Sequence, residues 1–168
     1  MNALIFNGTV IQIEATTFPV HPDLAWVTIP SGTTVAVGWT YASGTFTAPP
    51  APPAPTLAQQ AAAALGAGLT ITSTSTPALN GTYAVASGVP FGREDIGTEA
   101  QFISTFSEFT NGTQTLEWPL IDGKTFVTFP NTATFMNFAK AAAQYYAAVK
   151  AVAATGQGSF PSNQVTIP

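Results

Sequence analysis

The sequence predicts an α+β protein built as a small antiparallel β module, a Pro-rich linker, and an antiparallel sheet carrying two helices. Three observations carry this reading. Apolar and polar residues alternate around turn pairs in residues 1–47, the run Ala48 to Pro55 reads APPAPPAP, and two helix-period stretches alternate with strand pairs after Leu69.

In the first module, Ala3 to Phe6 and Val10 to Ala15 flank Asn7-Gly8, a pair suited to the positive backbone angles of a two-residue hairpin turn. Leu24 to Ile29 alternates again and stops at Pro30-Ser31-Gly32. Val35 to Tyr41 and Thr45 to Thr47 form a further strand pair about Ser43-Gly44. Prolines in the next segment fix the backbone near polyproline II and remove amide donors, which makes a semi-rigid spacer. Thr56 suits the N-cap of a short Ala-rich helix, Leu57 to Leu65, closed by Gly66-Ala67-Gly68. That helix is assigned to the linker, 48–68.

The second module is placed at 69–168. Leu69 to Ser73 and Thr82 to Val85 read as strands about Asn80-Gly81. Asp95 can cap a helix whose apolar residues Ile96, Phe102, Ile103, Phe106 and Phe109 recur at helical spacing, with Asn111-Gly112 ending it. Thr115 to Leu120 and Thr125 to Phe129 bracket Asp122-Gly123 as another hairpin. The longest helix opens at Asn131 or Thr132 and runs to Ala154, where Gly156 closes it, and Val165-Thr166-Ile167 suits an edge strand. The order is strand, strand, helix, strand, strand, helix.

Composition excludes several functions. Charged residues are 7% of the 168, against roughly 25% in an average soluble protein, so Thr, Ser, Asn, Gln and Ala must cover much of the surface. Four Lys and Arg in a chain of net charge −4 argue against binding nucleic acid. Apolar runs fall short of the roughly 18 residues of a membrane span. Met1 to Phe18 lacks a basic segment followed by a long apolar one, and reads as a strand pair and not as a signal peptide. With no Cys and a single His, thiolate nucleophiles, disulfides and zinc sites of Cys or paired His are absent, and no cofactor or metal is expected.

Little suggests catalysis. His21 stands beside Pro22 and Asp23 in a turn, with no nucleophile motif nearby. The one adjacent acidic pair, Glu94-Asp95, lies at a helix start, where negative charge favours the helix dipole. No Gly-rich phosphate loop occurs between strand and helix. Three Asn-Gly-Thr triplets, at Asn7, Asn80 and Asn111, match the glycosylation pattern, but turn formation accounts for all three. Trp26, Trp39 and Trp118 have faces that could stack on a sugar, although core or interface packing is the commoner use of an indole. On the long helix, Phe135, Phe138, Tyr145, Ala148 and Val152 are the candidate interface. Only Lys140 and Lys150 are charged between Ala139 and Ala154, and small side chains permit close approach by another copy.

Several segments together resemble a known group. His21-Pro22-Asp23-Leu24-Ala25-Trp26-Val27, Val37-Gly38-Trp39-Thr40-Tyr41 and Gly44-Thr45-Phe46-Thr47, running into prolines, resemble the amino-terminal module of small phage and prophage proteins encoded beside tail-fibre genes. Thr72 to Tyr83, Phe109 to Gly112, Trp118, Asp122-Gly123, Phe129-Pro130, Phe135 and Phe138-Ala139 look like a phage domain of uncharacterised function from the same neighbourhoods. The resemblance covers most of the chain and brings no catalytic motif with it. It implies a virion or virion-assembly protein located in the particle and assembled in the host cytoplasm. The expectation is a binding protein and not an enzyme: a tail or head fibre component or a particle decoration. Its partners would be other virion proteins, copies of itself (a trimer by analogy with phage fibres) and a host surface glycan. A tail-fibre assembly chaperone is the alternative. A glycan-cleaving protein, needing a carboxylate cleft from Glu94, Asp95, Glu99, Glu108, Glu117 and Asp122, is the third.

Overall fold

The computed structural model describes all 168 residues and has the α+β class the sequence predicts, with ten strands, three α-helices and one short 3-10 helix. The chain divides into two compact units, Met1–Ala54 and Pro55–Pro168.

The first unit is a five-stranded antiparallel sheet: β1 (Asn2–Phe6), β2 (Thr9–Glu14), β3 (Leu24–Thr28), β4 (Thr40–Ala42) and β5 (Thr45–Thr47), in the order β3-β1-β2-β4-β5. Two of its turns are those the sequence predicts. Asn7 (φ 47°) and Gly8 (φ 74°) join β1 to β2, and Ser43 (φ 49°) and Gly44 (φ 83°) join β4 to β5. Positive φ at both central residues gives a turn whose twist matches that of the flanking strands. The strand expected over Val35 to Tyr41 is shorter. Gly38 at φ 90° turns the chain before Trp39, and Val10 donates to the Trp39 carbonyl and accepts from the Gly38 amide, both at 2.8 Å. One face carries a small core of Ala3, Ile5, Val10 and Ile29, with Trp39, Tyr41 and Phe46 packed against it.

The boundary between units corrects the linker assignment. The helix α1 (Leu57–Gly66) belongs to the second unit, where Ala61 and Leu65 join the core. It starts in a full capping box: the Gln59 amide donates to Thr56 Oγ1 and the Thr56 amide to Gln59 Oε1. Tyr145 Oη, far along the chain, donates to the Ala64 carbonyl at 2.9 Å. Only residues before Pro55 are left as connector.

The second unit continues with β6 (Leu69–Ser73), the 3-10 helix Pro77–Leu79, β7 (Gly81–Tyr83), α2 (Arg93–Phe106), β8 (Leu116–Pro119), β9 (Phe126–Phe129), α3 (Thr132–Thr155) and β10 (Gln164–Ile167). Its strands do not make the single antiparallel sheet expected from their order. They form a three-stranded mixed sheet, β10-β6-β7, with β10 parallel to β6, and a separate β8-β9 hairpin. The hairpin meets the sheet through the Ile121 amide, which donates to the Thr82 carbonyl at 2.8 Å. Gly68 makes the tight entry into β6: its φ is +78°, and a Cβ there would lie 2.6 Å from the Tyr83 carbonyl oxygen.

Asn80-Gly81 is a turn of another kind from the one predicted. Asn80 keeps φ at −65°, and its side-chain oxygen accepts from the Ser73 amide at 2.7 Å. The helix expected to reach Asn111 stops at Ser107, whose φ of 60° is a left-handed C-cap. Phe109 then enters the core from a loop. Asn131 caps α3, as its sequence predicts, by accepting from the Thr134 amide. Five rings form the centre of the core: Tyr83, Phe109, Phe129, Phe135 and Phe138, with neighbouring centroids 4.6 to 6.2 Å apart. Tyr83 Oη donates to the Leu79 carbonyl at 2.6 Å, and burial pushes its hydroxyl pKa well above the ordinary tyrosine value.

Candidate functional site

Most of the acidic groups considered for catalysis hold backbone in place. Glu94 accepts from the Ser87 hydroxyl and from the Gly88 amide, and these bonds hold its carboxyl below the usual carboxylate range. Asp95 accepts from the Phe91 amide at 2.6 Å, reaching back over the helix start, so it fixes the entry to α2 although Gly92 is the N-cap. Glu99 is 5% exposed; its two oxygens take the amide and the hydroxyl of Thr110 at 2.9 and 2.6 Å, tying α2 to the loop after it. Asp122 closes the β8-β9 hairpin by accepting from the amides of Lys124 and Thr125 and the Thr125 hydroxyl, which bring its pKa down to about 2. His21 is exposed and receives the Asp23 amide within its turn. No three His, Cys, Asp or Glu side chains come together as a metal-ligand set.

The tryptophans do not make one stacking platform. Cross-strand partners share a sheet face. Trp26 is paired with Leu4, whereas Val27 is paired with Ala3 of the small core. Trp26 therefore lies on the face opposite Trp39. Its indole N–H donates to the Phe18 carbonyl at 2.9 Å, and the Phe18 ring meets it edge-on. Trp118 is in the core of the other unit, against Phe91 and Phe135, and cannot present a face to a sugar.

The interface expected on α3 divides in the same way. Phe135, Phe138 and Tyr145 are buried within their own unit and are corrected to core residues, because the apolar period that marks them is the one by which α3 packs on its own sheet. Val152 is half-buried and Ala148 is exposed. With Asn137, Gln144 and Ala151, Ala148 forms an outward, uncharged face at helical spacing.

Two surface features were not apparent in the sequence. Val89, Phe91, Ile121 and Phe126 are all at least 40% exposed and surround a hollow of about 490 Å3, with Phe91 in the left-handed region at φ 56°. No periodic pattern marks them, because they sit in two loops and at a strand end. The other is a trough beside α3, where Arg93 lies 4.5 Å above the centroid of the Tyr146 ring.

No helix is long and apolar enough to cross a membrane. Comparisons with protein-family models, with curated proteins and with solved structures find no match to this chain.

Proposed function

We propose that the protein is a phage structural accessory, a fibre component or particle decoration that acts by binding, with one unit anchored to the virion and the other presented to a partner. The observation that supports this most directly is the division into two units, each with a core of its own, joined at a proline-rich segment. The resemblance of both parts to phage proteins supports the same reading. The engagement of Glu94, Asp95, Glu99 and Asp122 in backbone bonds favours binding over acid-base chemistry.

Mass spectrometry of purified particles tests the proposal. Peptides from this chain at the stoichiometry of known structural proteins are the expected result. Their absence from particles, with fibres failing to assemble when the chain is deleted, would replace it with the chaperone reading.

Copies would associate through the outward face of α3, with a trimer the first expectation. The purified chain should then sediment as an oligomer at tens of micromolar, and Ala148→Glu should shift it toward monomer by placing an unpaired charge in the contact. A monomeric wild type would remove self-sufficient assembly from the proposal.

A further inference from the structure

We propose that the trough beside α3 is a docking groove for an acidic amphipathic helix of a different protein. The inference does not depend on the virion reading. Two hollows adjoin along α3. One, of about 710 Å3, lies between α2 and α3 over Ile96, Ala139, Ala143 and Ala147. The other, of about 490 Å3, lies between α1 and α3 over Ala58, Ala62, Ala153 and Ala154. Tyr146 lines both, beneath the Arg93 guanidinium.

Charge selects the occupant. The chain has four Lys and Arg and eight Asp and Glu. Three of the four cations, Arg93, Lys140 and Lys150, line the hollows, but only one of the eight acids, Glu94, does so. Glu94 is already engaged by Ser87 and Gly88. Lys140 and Lys150 form no ion pair; Arg93 pairs with Glu94, its sequence neighbour. An acidic protein thus carries a cationic, apolar trough, and a partner of opposite sign gains both orientation and association rate from it.

Shape selects a helix. Met136, Lys140, Ala143, Ala147, Lys150 and Ala154 follow one stripe of α3, whose ends, eighteen positions apart, are separated by about 27 Å. Alanines along that stripe let a second helix approach to the close end of the usual range, about 8 Å between axes. Lys140 and Lys150 are ten residues apart, about 15 Å along the axis, so the complementary helix carries carboxylates about three turns apart beside an apolar stripe.

A second copy does not meet this requirement. The helices α1 and α3 contain no Asp or Glu, and the three acids of α2 (Glu94, Asp95 and Glu99) are held in internal hydrogen bonds. Trough against trough would also bring lysines together.

The test uses the full-length chain and two labelled helical peptides of about 21 residues, each with a Leu/Ala stripe. One carries a glutamate on either side of the stripe three turns apart, and the other has glutamine at both positions. Fluorescence anisotropy should show the glutamate peptide binding about tenfold more tightly, a difference of about 1.4 kcal/mol, with the preference declining as salt rises. Lys140→Glu/Lys150→Glu should abolish the preference, whereas Lys124→Glu, outside the trough, should leave it intact. These lysines are exposed, so circular dichroism should show all variants folded. Equal binding of the two peptides, no binding of the glutamate peptide at about 100 μM, or an unchanged preference in the double variant would overturn the proposal. So would tighter binding of a 20-base-pair DNA duplex than of the glutamate peptide.

Discussion

The two units close their structures over different distances along the chain. In the first, β1 and β2 meet through a two-residue turn, β4 and β5 do the same, and the widest pairing, Thr9 of β2 with Thr40 of β4, joins residues 31 apart. Its core is correspondingly small, four buried hydrophobic residues with partly covered neighbours. The second unit closes by contacts between its ends: β10 pairs with β6, Ser73 Oγ donates to the Pro168 carbonyl, and α1 is held by Tyr145. Local pairing needs little buried area to offset its loop-closure entropy, whereas distant pairing is sustained by a large core. The aromatic cluster lies in the unit with the distant closures, where truncating it should weaken them.

The sharpest way to break the contrast is Phe138→Ala. Phe138 is fully buried against Tyr83, Phe129 and Phe135, so its truncation should cost about 3 to 5 kcal/mol. In urea unfolding followed by NMR, signals of residues 57–167 should lose stability while those of β1 and β2 keep theirs. A common loss in both units would mean that they unfold as one. Ile167→Ala comes next. Ile167 is 4% exposed in β10, and about 2 to 4 kcal/mol should be lost, with exchange protection falling in β6 as well. Thr56→Ala removes half of the capping box and should cost about 1 kcal/mol. That loss should appear in the second unit alone, since α1 is part of its core; an effect confined to α1, with no change in α3, would return the helix to the linker.

The smallest effect concerns acid. The folded-state pKa of Asp122 lies below its ordinary value of 3.8, at about 2. The stabilisation is therefore present above about pH 4 and is lost as pH falls toward 2. Because Asp122 is exposed, the change should be local: the Lys124 and Thr125 amides should shift in NMR spectra over that window while the β1-β2 hairpin does not respond. Asp122→Asn should remove the transition.

What could be read from the sequence follows the same division. Asn7-Gly8 and Ser43-Gly44 were legible because a two-residue turn states its backbone requirement in its own residues. The caps Thr56 and Asn131 were legible for the same reason. The role of α1 was not, since its alanines suit a spacer equally well and its partner, Tyr145, is 81 residues from Ala64. Val165 to Ile167 could be recognised as an edge strand, but nothing in it names β6 as its parallel neighbour. Periodicity on α3 identified Phe135, Phe138 and Tyr145 as a stripe without saying whether that stripe met its own sheet or another copy. The cationic trough was least legible, because Arg93, Lys140 and Lys150 stand singly in the sequence and only the packing of α1, α2 and α3 gathers them.

The parallel pairing of β10 with β6 also sets an order of events during synthesis. Domains fold as units while the chain emerges from the ribosome, at about 5 to 20 residues per second. The first unit has all its partners once residue 54 is free. The second holds β6, whose Leu69 and Ile71 are buried in the finished protein, with β7 on one edge but without its other neighbour until Gln164 to Ile167 have emerged. For several seconds the nascent chain therefore carries one finished unit and one with an open, apolar strand edge. A chaperone that recognises such edges has its opportunity in that interval, and pulse-labelling of stalled chains would show the Thr70 amide of β6, which donates to the Asn163 carbonyl, becoming protected only after residues 163–167 leave the exit tunnel.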